Sequence, residues 1–157
     1  MLLERLHGVD LGSGNLVDSD LVAPEVGWLQ SNDSGRLDLK AASDLVTPAA
    51  ALLAIGGGGK IVGVGHTQRK ESKRMATTQR LLSYFGLKSE IKSEGIIEVP
   101  GGQSPMRPEE DVKTFSDHRV AMTAMALASL VGATIEGEGC IRATHPSFHQ
   151  MLMAISS

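Results

Sequence analysis

Hydrophobic and polar positions along the chain predict an alternation of short strands and helices. In residues 36–40 apolar and charged side chains alternate, which is typical of a half-buried strand. Longer apolar stretches that end at glycine, such as residues 45–55, are typical of helices. The pattern predicts strands at residues 36–40, 60–65, 87–92, 96–99 and 133–138, and helices at residues 45–55, 70–85, 118–131 and 146–155. A short helix at residues 2–9, short strands at 21–22 and 26–29, a hairpin turn at 93–95 and an exposed loop at 100–111 complete the prediction.

Two of these helices begin and end in the same way. Asp44 stands just before the first helix and Gly59 follows it 15 positions later, while Asp117 and Gly132 have the same spacing 73 residues further on. A carboxylate in front of an apolar helix is a typical N-cap. Each glycine leads into a predicted strand, so the pattern indicates a duplicated α/β unit.

Residues 69–74, Arg-Lys-Glu-Ser-Lys-Arg, concentrate charge at the start of the central helix. Lys70 and Arg74 are four positions apart and share a helix face. A helix N-terminus already carries partial positive charge, so two cations there favour an anion site, although a solvated charged turn is the simpler alternative. Asp117, His118 and Arg119 form a second charged helix start. Equivalent helix starts in a repeated fold are expected to converge on one face, with Asp44 beside them.

Composition excludes several classes of function. The chain of 157 residues has a net charge of −3 and a pI near 5.9, which disfavours a surface that coats polyanions. Aromatic residues make up only 3%, so a base-stacking platform is not expected. Nucleic-acid binding is therefore the weakest hypothesis, and it would use five clustered cations: Arg69, Lys70, Lys73, Arg74 and Arg80.

Metal, membrane and disulfide chemistry are also not predicted. Cys140 is the single cysteine, which excludes an intrachain disulfide and a cysteine zinc cluster and favours the cytoplasm. No apolar run reaches membrane-spanning length, and the first five residues lack signal-peptide character. His145 and His149 have the spacing of a metal-binding pair, but no acidic residue follows in the usual pattern.

Four phrases, in order and at suitable spacing, resemble the 5-enolpyruvylshikimate-3-phosphate (EPSP) synthase family. They are Asp44 before Pro48-Ala49-Ala50, Gly63-Val64-Gly65-His66 followed by residues 69–74, Asp117-His118-Arg119-Val120-Ala121-Met122, and His145-Pro146-Ser147-Phe148. The resemblance implies the C-terminal portion of such an enzyme. It implies an α/β fold of repeated βαβαββ-type units, the inside-out α/β barrel of enolpyruvyl transferases, with about two units present. Residues 1–42 would be the strand-rich start of the first unit and 43–157 the duplicated units, in one compact domain whose partner domain is missing.

The resemblance also implies an activity and its residues. The family transfers the enolpyruvyl group of phosphoenolpyruvate to the 5-hydroxyl of shikimate 3-phosphate and needs no metal or cofactor. By position, Asp44 and Glu71 resemble the catalytic carboxylates for proton transfer. The implied substrate-binding residues are His66, Lys70, Arg74, His118 and Arg119, with Arg74 and Arg119 as the clamp on phosphoenolpyruvate.

Three departures from the family pattern matter, and two of them, Lys73 and Ala143, favour a second hypothesis. Lys73 stands where the family usually has Asp, and Ala143 stands near the place of a family lysine. The chain also resembles only about two of the family's repeated units. Activity would then need a complementary N-terminal domain or self-association, and the alternative is a non-catalytic binding or interaction module that reuses the fold. Sister enolpyruvyl transferases that act on nucleotide sugars match these phrases less well.

Overall fold

Strands and helices alternate in the computed structural model, which describes residues 35–65, 71–137 and 147–156. The predicted elements at residues 2–9, 21–22 and 26–29 lie outside the described residues. The elements in chain order are β1 (Arg36–Asp38), a 3₁₀ turn (Ser43–Leu45), α1 (Val46–Ile55), β2 (Gly59–Val62), α2 (Glu71–Tyr84), β3 (Glu90–Ser93), β4 (Ile96–Val99), β5 (Val112–Lys113), α3 (His118–Val131), β6 (Ile135–Glu136) and α4 (Phe148–Ser156). The predicted α/β class is confirmed.

The described strands form two sheets. The larger sheet has the order β1-β2-β4-β3, with β1 parallel to β2 and the other pairs antiparallel. Ile61 lies opposite Leu37 on one side and Ile97 on the other, which places apolar side chains at the centre of this sheet. The smaller sheet pairs β5 with β6 in parallel. A helix connects each parallel pair, α1 between β1 and β2 and α3 between β5 and β6, as parallel strands require.

Helices α1, α2 and α3 pack on one another, and α1 and α2 also pack on the larger sheet. The core between them is made of aliphatic side chains and Phe85, which is fully buried. The largest of the buried aliphatic residues are Leu39, Ile61, Leu81, Leu82 and Ile97. Burial of this apolar surface holds the helix starts in fixed positions relative to one another.

A buried hydrogen bond joins α1 to α2. Thr47 and Thr78 are both fully buried, and their hydroxyl oxygens lie 2.8 Å apart. One hydroxyl donates to the other inside an apolar contact, where a missing partner would be costly. The pair therefore specifies how α1 sits against α2.

The glycine run after α1 ends the helix and then allows close backbone packing. The backbone N–H of Gly56 donates to the carbonyl of Leu52 at 2.8 Å, and Gly58 follows with a φ of 75°. A Cβ placed on Gly101 would lie 2.2 Å from the backbone of residues 57 and 58. Helix termination, predicted for this run, is confirmed, and the run serves packing against the strand that ends at Val99.

A row of exposed ion pairs runs across three strands of the larger sheet. The ammonium of Lys60 on β2 lies 3.1 Å from the carboxylate of Glu98 on β4, and Lys92 on β3 lies 3.4 Å from Glu98 and 2.7 Å from Glu90. The hydrogen bond from Lys60 lowers the pKa of Glu98, with a smaller contribution from Lys92. The hydrogen bond to Glu90 raises the pKa of Lys92. These pairs link three neighbouring strands on the solvent side.

Most predicted elements occur within a few residues of their expected bounds, and two predictions need correction. Strand β5 was not predicted, because its two residues are too few to show an alternating pattern and follow a proline-rich loop. The strand predicted at residues 133–138 is reduced, in the described part of the chain, to Ile135–Glu136. No helix in the described residues is long and apolar enough to cross a membrane.

Candidate anion site at three helix starts

One carboxylate bridges two arginines where three helical segments begin. The Oδ1 of Asp44 lies 3.2 Å from Nη1 of Arg74, and its Oδ2 lies 2.8 Å from Nη2 of Arg119. Asp44 belongs to the 3₁₀ turn before α1, Arg74 to the first turns of α2 and Arg119 to the first turn of α3. The predicted convergence of Asp44 and the charged start of α3 is therefore present, and Asp44 lies between Arg119 and Arg74.

Asp44 is not the helix cap that its position suggested. A 3₁₀ turn, Ser43–Leu45, precedes α1, and neither the turn nor α1 has a side-chain hydrogen bond at its N-cap. The carboxylate turns away from the backbone amides towards the two guanidinium groups instead. Capping was the wrong prediction here because charged partners 30 and 75 positions away in sequence compete with the local amides.

Arg119 is positioned by a tight turn that ends in a true cap. The backbone N–H of Asp117 donates to the carbonyl of Thr114 at 3.0 Å, and the two residues between them, Phe115 and Ser116, have φ values of 55° and 57°. This left-handed conformation is uncommon outside glycine. The Oδ1 of Asp117 then accepts from the backbone N–H of Arg119 at 2.8 Å and from that of Val120 at 3.4 Å. The cap predicted at Asp117 is confirmed.

Arg74 is held in place mainly by burial. Its side chain is 16% exposed, and Nη1 also lies 3.3 Å from the carbonyl oxygen and 3.4 Å from the hydroxyl of Ser43. Its Nε is buried and makes no hydrogen bond. The sequence predicts a capping role for Ser43 together with Asp44, because a serine and an aspartate at a helix start are typical of a cap, and the contact of Ser43 with Arg74 was not predicted.

The charges of the three side chains do not balance. One carboxylate meets two guanidinium groups, so the Asp44, Arg74 and Arg119 cluster has one excess positive charge. Asp44 is 57% exposed, so solvent and small solutes reach the cluster. Guanidinium groups pair with carboxylate and phosphate oxygens through two parallel N–H donors. The arrangement is suited to binding an anion.

Other predicted site residues are described only in part. His66 and Lys70 lie outside the described residues, as do Ala143 and His145. Glu71 begins α2, and its side chain is not among those described. His118 begins α3 and is half-buried, while Lys73 is exposed. Within the described residues no group of three or more histidine, cysteine or acidic side chains could hold a metal ion.

An apolar groove of about 390 Å³ leads away from the ion pair between Asp44 and Arg119. It runs between α1 and α3, and Phe148 of α4 contributes to its wall. The apolar side chains that line it from the 3₁₀ turn and the two helices are Leu45, Pro48, Ala51, Leu52, Ile55, Met122, Ala126, Leu127 and Leu130. Leu52, on the groove wall, is 53% exposed. The charged cluster thus lies at the end of an apolar surface.

Comparison with known proteins gives one consistent family. Residues 18–152 match the family described as EPSP synthase (3-phosphoshikimate 1-carboxyvinyltransferase). The 3-phosphoshikimate 1-carboxyvinyltransferase of Saccharolobus solfataricus is 31% identical over 123 residues, which are 78% of this chain and 30% of the relative. The enzyme of that name from Methanosphaerula palustris is 34% identical over 120 residues, 75% of this chain and 27% of the relative. The matched region of this chain spans less than a third of the curated relatives' length.

Proposed function

The chain belongs to the EPSP synthase family, and we propose that it forms the part of a 3-phosphoshikimate 1-carboxyvinyltransferase that holds phosphoenolpyruvate. The reaction would transfer the enolpyruvyl group to the 5-hydroxyl of shikimate 3-phosphate. A base would take the hydroxyl proton as the oxygen bonds to the central carbon of phosphoenolpyruvate, and an acid would protonate the methylene carbon, which gives a tetrahedral adduct. Phosphate would then leave as a proton is removed from the new methyl group, which restores the carbon–carbon double bond. The chemistry requires cations beside a carboxylate and a phosphate.

One observation carries this proposal: the two arginines that resemble the phosphoenolpyruvate clamp lie against the same carboxylate. Arg74 and Arg119 are 45 positions apart in sequence, and Asp44 joins them at 3.2 Å and 2.8 Å. Two guanidinium groups that meet at one exposed carboxylate could take the carboxylate and the phosphate of a single small ligand.

We assign the remaining roles by position in the family pattern. Asp44 and Glu71 would transfer protons, and both must come within hydrogen-bond reach of the reacting atoms. Three further residues would contact shikimate 3-phosphate or phosphoenolpyruvate: His66, Lys70 and His118. No cofactor or metal has a role in this proposal.

The architecture proposed with this function is two repeated units in one domain. The parallel strand pairs β1/β2 and β5/β6, each connected by a helix, would be equivalent parts of two βαβαββ-type units. Residues 1–42 would start the first unit, and residues 43–157 would complete both. Since the match covers 30% of the Saccharolobus solfataricus relative, turnover should need a complementary domain or self-association, and the chain alone should be inactive or weak.

A second candidate function is a binding module without catalysis. Lys73 supports it, because a cation replaces the family's usual acid one position before Arg74, and its side chain is exposed. Such a module would keep anion binding and lose proton transfer. The cytoplasmic location also stays a prediction.

A ligand titration tests whether the chain binds the proposed substrates or only shares the fold of the family. The isotope-labelled chain would be titrated with shikimate 3-phosphate and then phosphoenolpyruvate, while the backbone amide signals of Asp44, Arg74 and Arg119 are followed by NMR. We expect saturable shifts at these amides that Arg119→Gln abolishes. Arg80→Gln is the matched control, because Arg80 pairs with Glu110 at 3.7 Å and has no contact with Asp44.

The titration has a clear negative outcome. If millimolar phosphoenolpyruvate shifts none of the three amides in a well-folded sample, the chain has no anion site of its own. Binding without turnover, even after a complementary domain is supplied, would favour the non-catalytic module.

A further inference from the structure

Asp44 occupies the same arginine donors that a ligand anion would need. Its two carboxylate oxygens are divided between the two guanidinium groups, one oxygen to Arg74 and one to Arg119. A phosphate or carboxylate ligand presents the same pair of oxygens to the same donors. The carboxylate of Asp44 therefore occupies the position at the two arginines that the anion of a ligand would take.

The two arginines are better fixed than the aspartate between them. Arg74 is mostly buried, and the backbone of Arg119 is held by the cap that Asp117 provides. Asp44 is exposed by more than half and makes no cap hydrogen bond to the backbone of α1. Exposed ion pairs contribute little, so the pair with Arg119 is weakly held, while the pair with Arg74, whose side chain is 16% exposed, is the stronger one that a ligand anion must replace.

We infer that Asp44 is an internal competitor, whose carboxylate must be displaced from Arg74 and Arg119 before a ligand phosphate or carboxylate can bind both. The inference rests on the proposed anion-binding function of this site. Asp44 lowers the affinity of the ligand-free cluster for anions, and an anion that binds releases the carboxylate beside the ligand. The released carboxylate is then available for the proton transfer assigned to it above.

Inorganic phosphate is the probe for this competition. We would titrate the full chain and its Asp44→Asn variant with phosphate at constant pH and ionic strength, following the amide signals of Arg74 and Arg119. Because the carboxylate that competes for both guanidinium groups is removed, phosphate should bind Asp44→Asn roughly three- to tenfold more tightly than the parent chain. Asp44→Ser should behave alike, since it also removes the charge.

A charge-matched control excludes a general effect of net charge. Glu110→Gln also removes one carboxylate from an exposed arginine pair, at Arg80, and should leave the phosphate affinity within about twofold of the parent. The double variant Asp44→Asn/Arg119→Gln should bind phosphate less tightly than Asp44→Asn, because half of the donor pair is lost.

Two results would overturn the inference, and they differ in what they say of the proposed function. If Asp44→Asn and Asp44→Ser bind phosphate no more tightly than the parent while phosphoenolpyruvate still binds the parent, Asp44 is no competitor and the proposed function survives. If neither phosphate nor phosphoenolpyruvate binds any variant of a well-folded chain, the competitor and the anion site both fail.

Discussion

Asp117 connects the stability of α3 to the position of Arg119. Its Oδ1 accepts two backbone N–H groups of the first turn, at 2.8 Å and 3.4 Å. The turn before it contains two non-glycine residues with positive φ, so the local backbone is under strain that the cap helps to offset. Loss of the cap should therefore loosen the segment that carries Arg119.

Asp117→Ala should lower the free energy of unfolding by about 1 kcal/mol, because two amides at the start of α3 lose their acceptor. Urea denaturation followed by far-UV circular dichroism would measure this. Asp117→Ser is the matched control, since a serine hydroxyl also caps helices and should recover most of the loss. If alanine and serine destabilise equally, the carboxylate acts here through its charge and not as a cap.

Asp44 and Asp117 show how far a local sequence pattern can predict the role of a single residue. Each stands before an apolar helix, and a cap was predicted for both. Asp117 fulfils it because its nearest donors are the amides of its own helix. Asp44 instead forms ion pairs with two guanidinium groups from helices distant in sequence, and a local sequence pattern does not predict those ion pairs. The assignment of Arg74 and Arg119 to substrate binding came from family resemblance and stays a prediction. The repeat predicted that Asp44 and the start of α3 share one face, but not the ion pairs that Asp44 forms with the two arginines.

At the scale of secondary-structure elements, the apolar contact between α1 and α2 contains one buried side-chain hydrogen bond. Thr47 and Thr78 are fully buried and hydrogen-bonded to each other. Thr47→Val keeps the shape and removes one hydroxyl, which leaves the other buried without its partner. We expect a loss of about 1 to 3 kcal/mol in the free energy of unfolding.

The double variant tests the cause. Thr47→Val/Thr78→Val removes both hydroxyls together and should be more stable than either single variant, since no unsatisfied group remains. Thr77→Val, on α2 next to Thr78 but less buried, should change the free energy of unfolding by less than about 0.5 kcal/mol. Additive losses from the two single variants would show that the hydroxyls do not act as a pair.

Helices and the hairpin were predictable because their signals are local, and the sheets were less so. Periodicity and a closing glycine define α2, which ends at Tyr84 before Gly86 with a φ of 69°. Likewise, Gly95, with a φ of 79°, lies at the hairpin turn between β3 and β4. Strand order and β5 depend on pairing between residues more than 20 positions apart, which no local pattern encodes.

At the scale of the whole molecule, an apolar groove lies on a chain whose matched region is less than a third of its relatives' length. Side chains of α1 and α3 line a groove that leaves Leu52 more than half exposed, and the matched region is 30% of the Saccharolobus solfataricus enzyme. Contiguous exposed apolar surface commonly marks an interface. Under the proposed function, we expect further parts of a full-length enzyme to cover this groove beside Arg119.

A chimera would test this expectation, with this chain replacing the matched 123 residues of the Saccharolobus solfataricus relative. In the isolated chain, Leu52→Glu should change the free energy of unfolding by less than about 0.5 kcal/mol, because the side chain is largely exposed. In the chimera, the same substitution should cost at least about 2 kcal/mol and reduce phosphate release from phosphoenolpyruvate, because burial of the side chain would desolvate the charge.

Met106→Glu supplies the comparison, because Met106 is 62% exposed and does not line the groove. It should be tolerated both in the isolated chain and in the chimera, so that a loss confined to Leu52→Glu in the chimera assigns the effect to the groove. Equal tolerance of the two substitutions in a folded, active chimera would mean that the groove stays open in the full-length enzyme. The apolar surface beside Arg119 would then face solvent or substrate, and the completing domain would have to dock elsewhere.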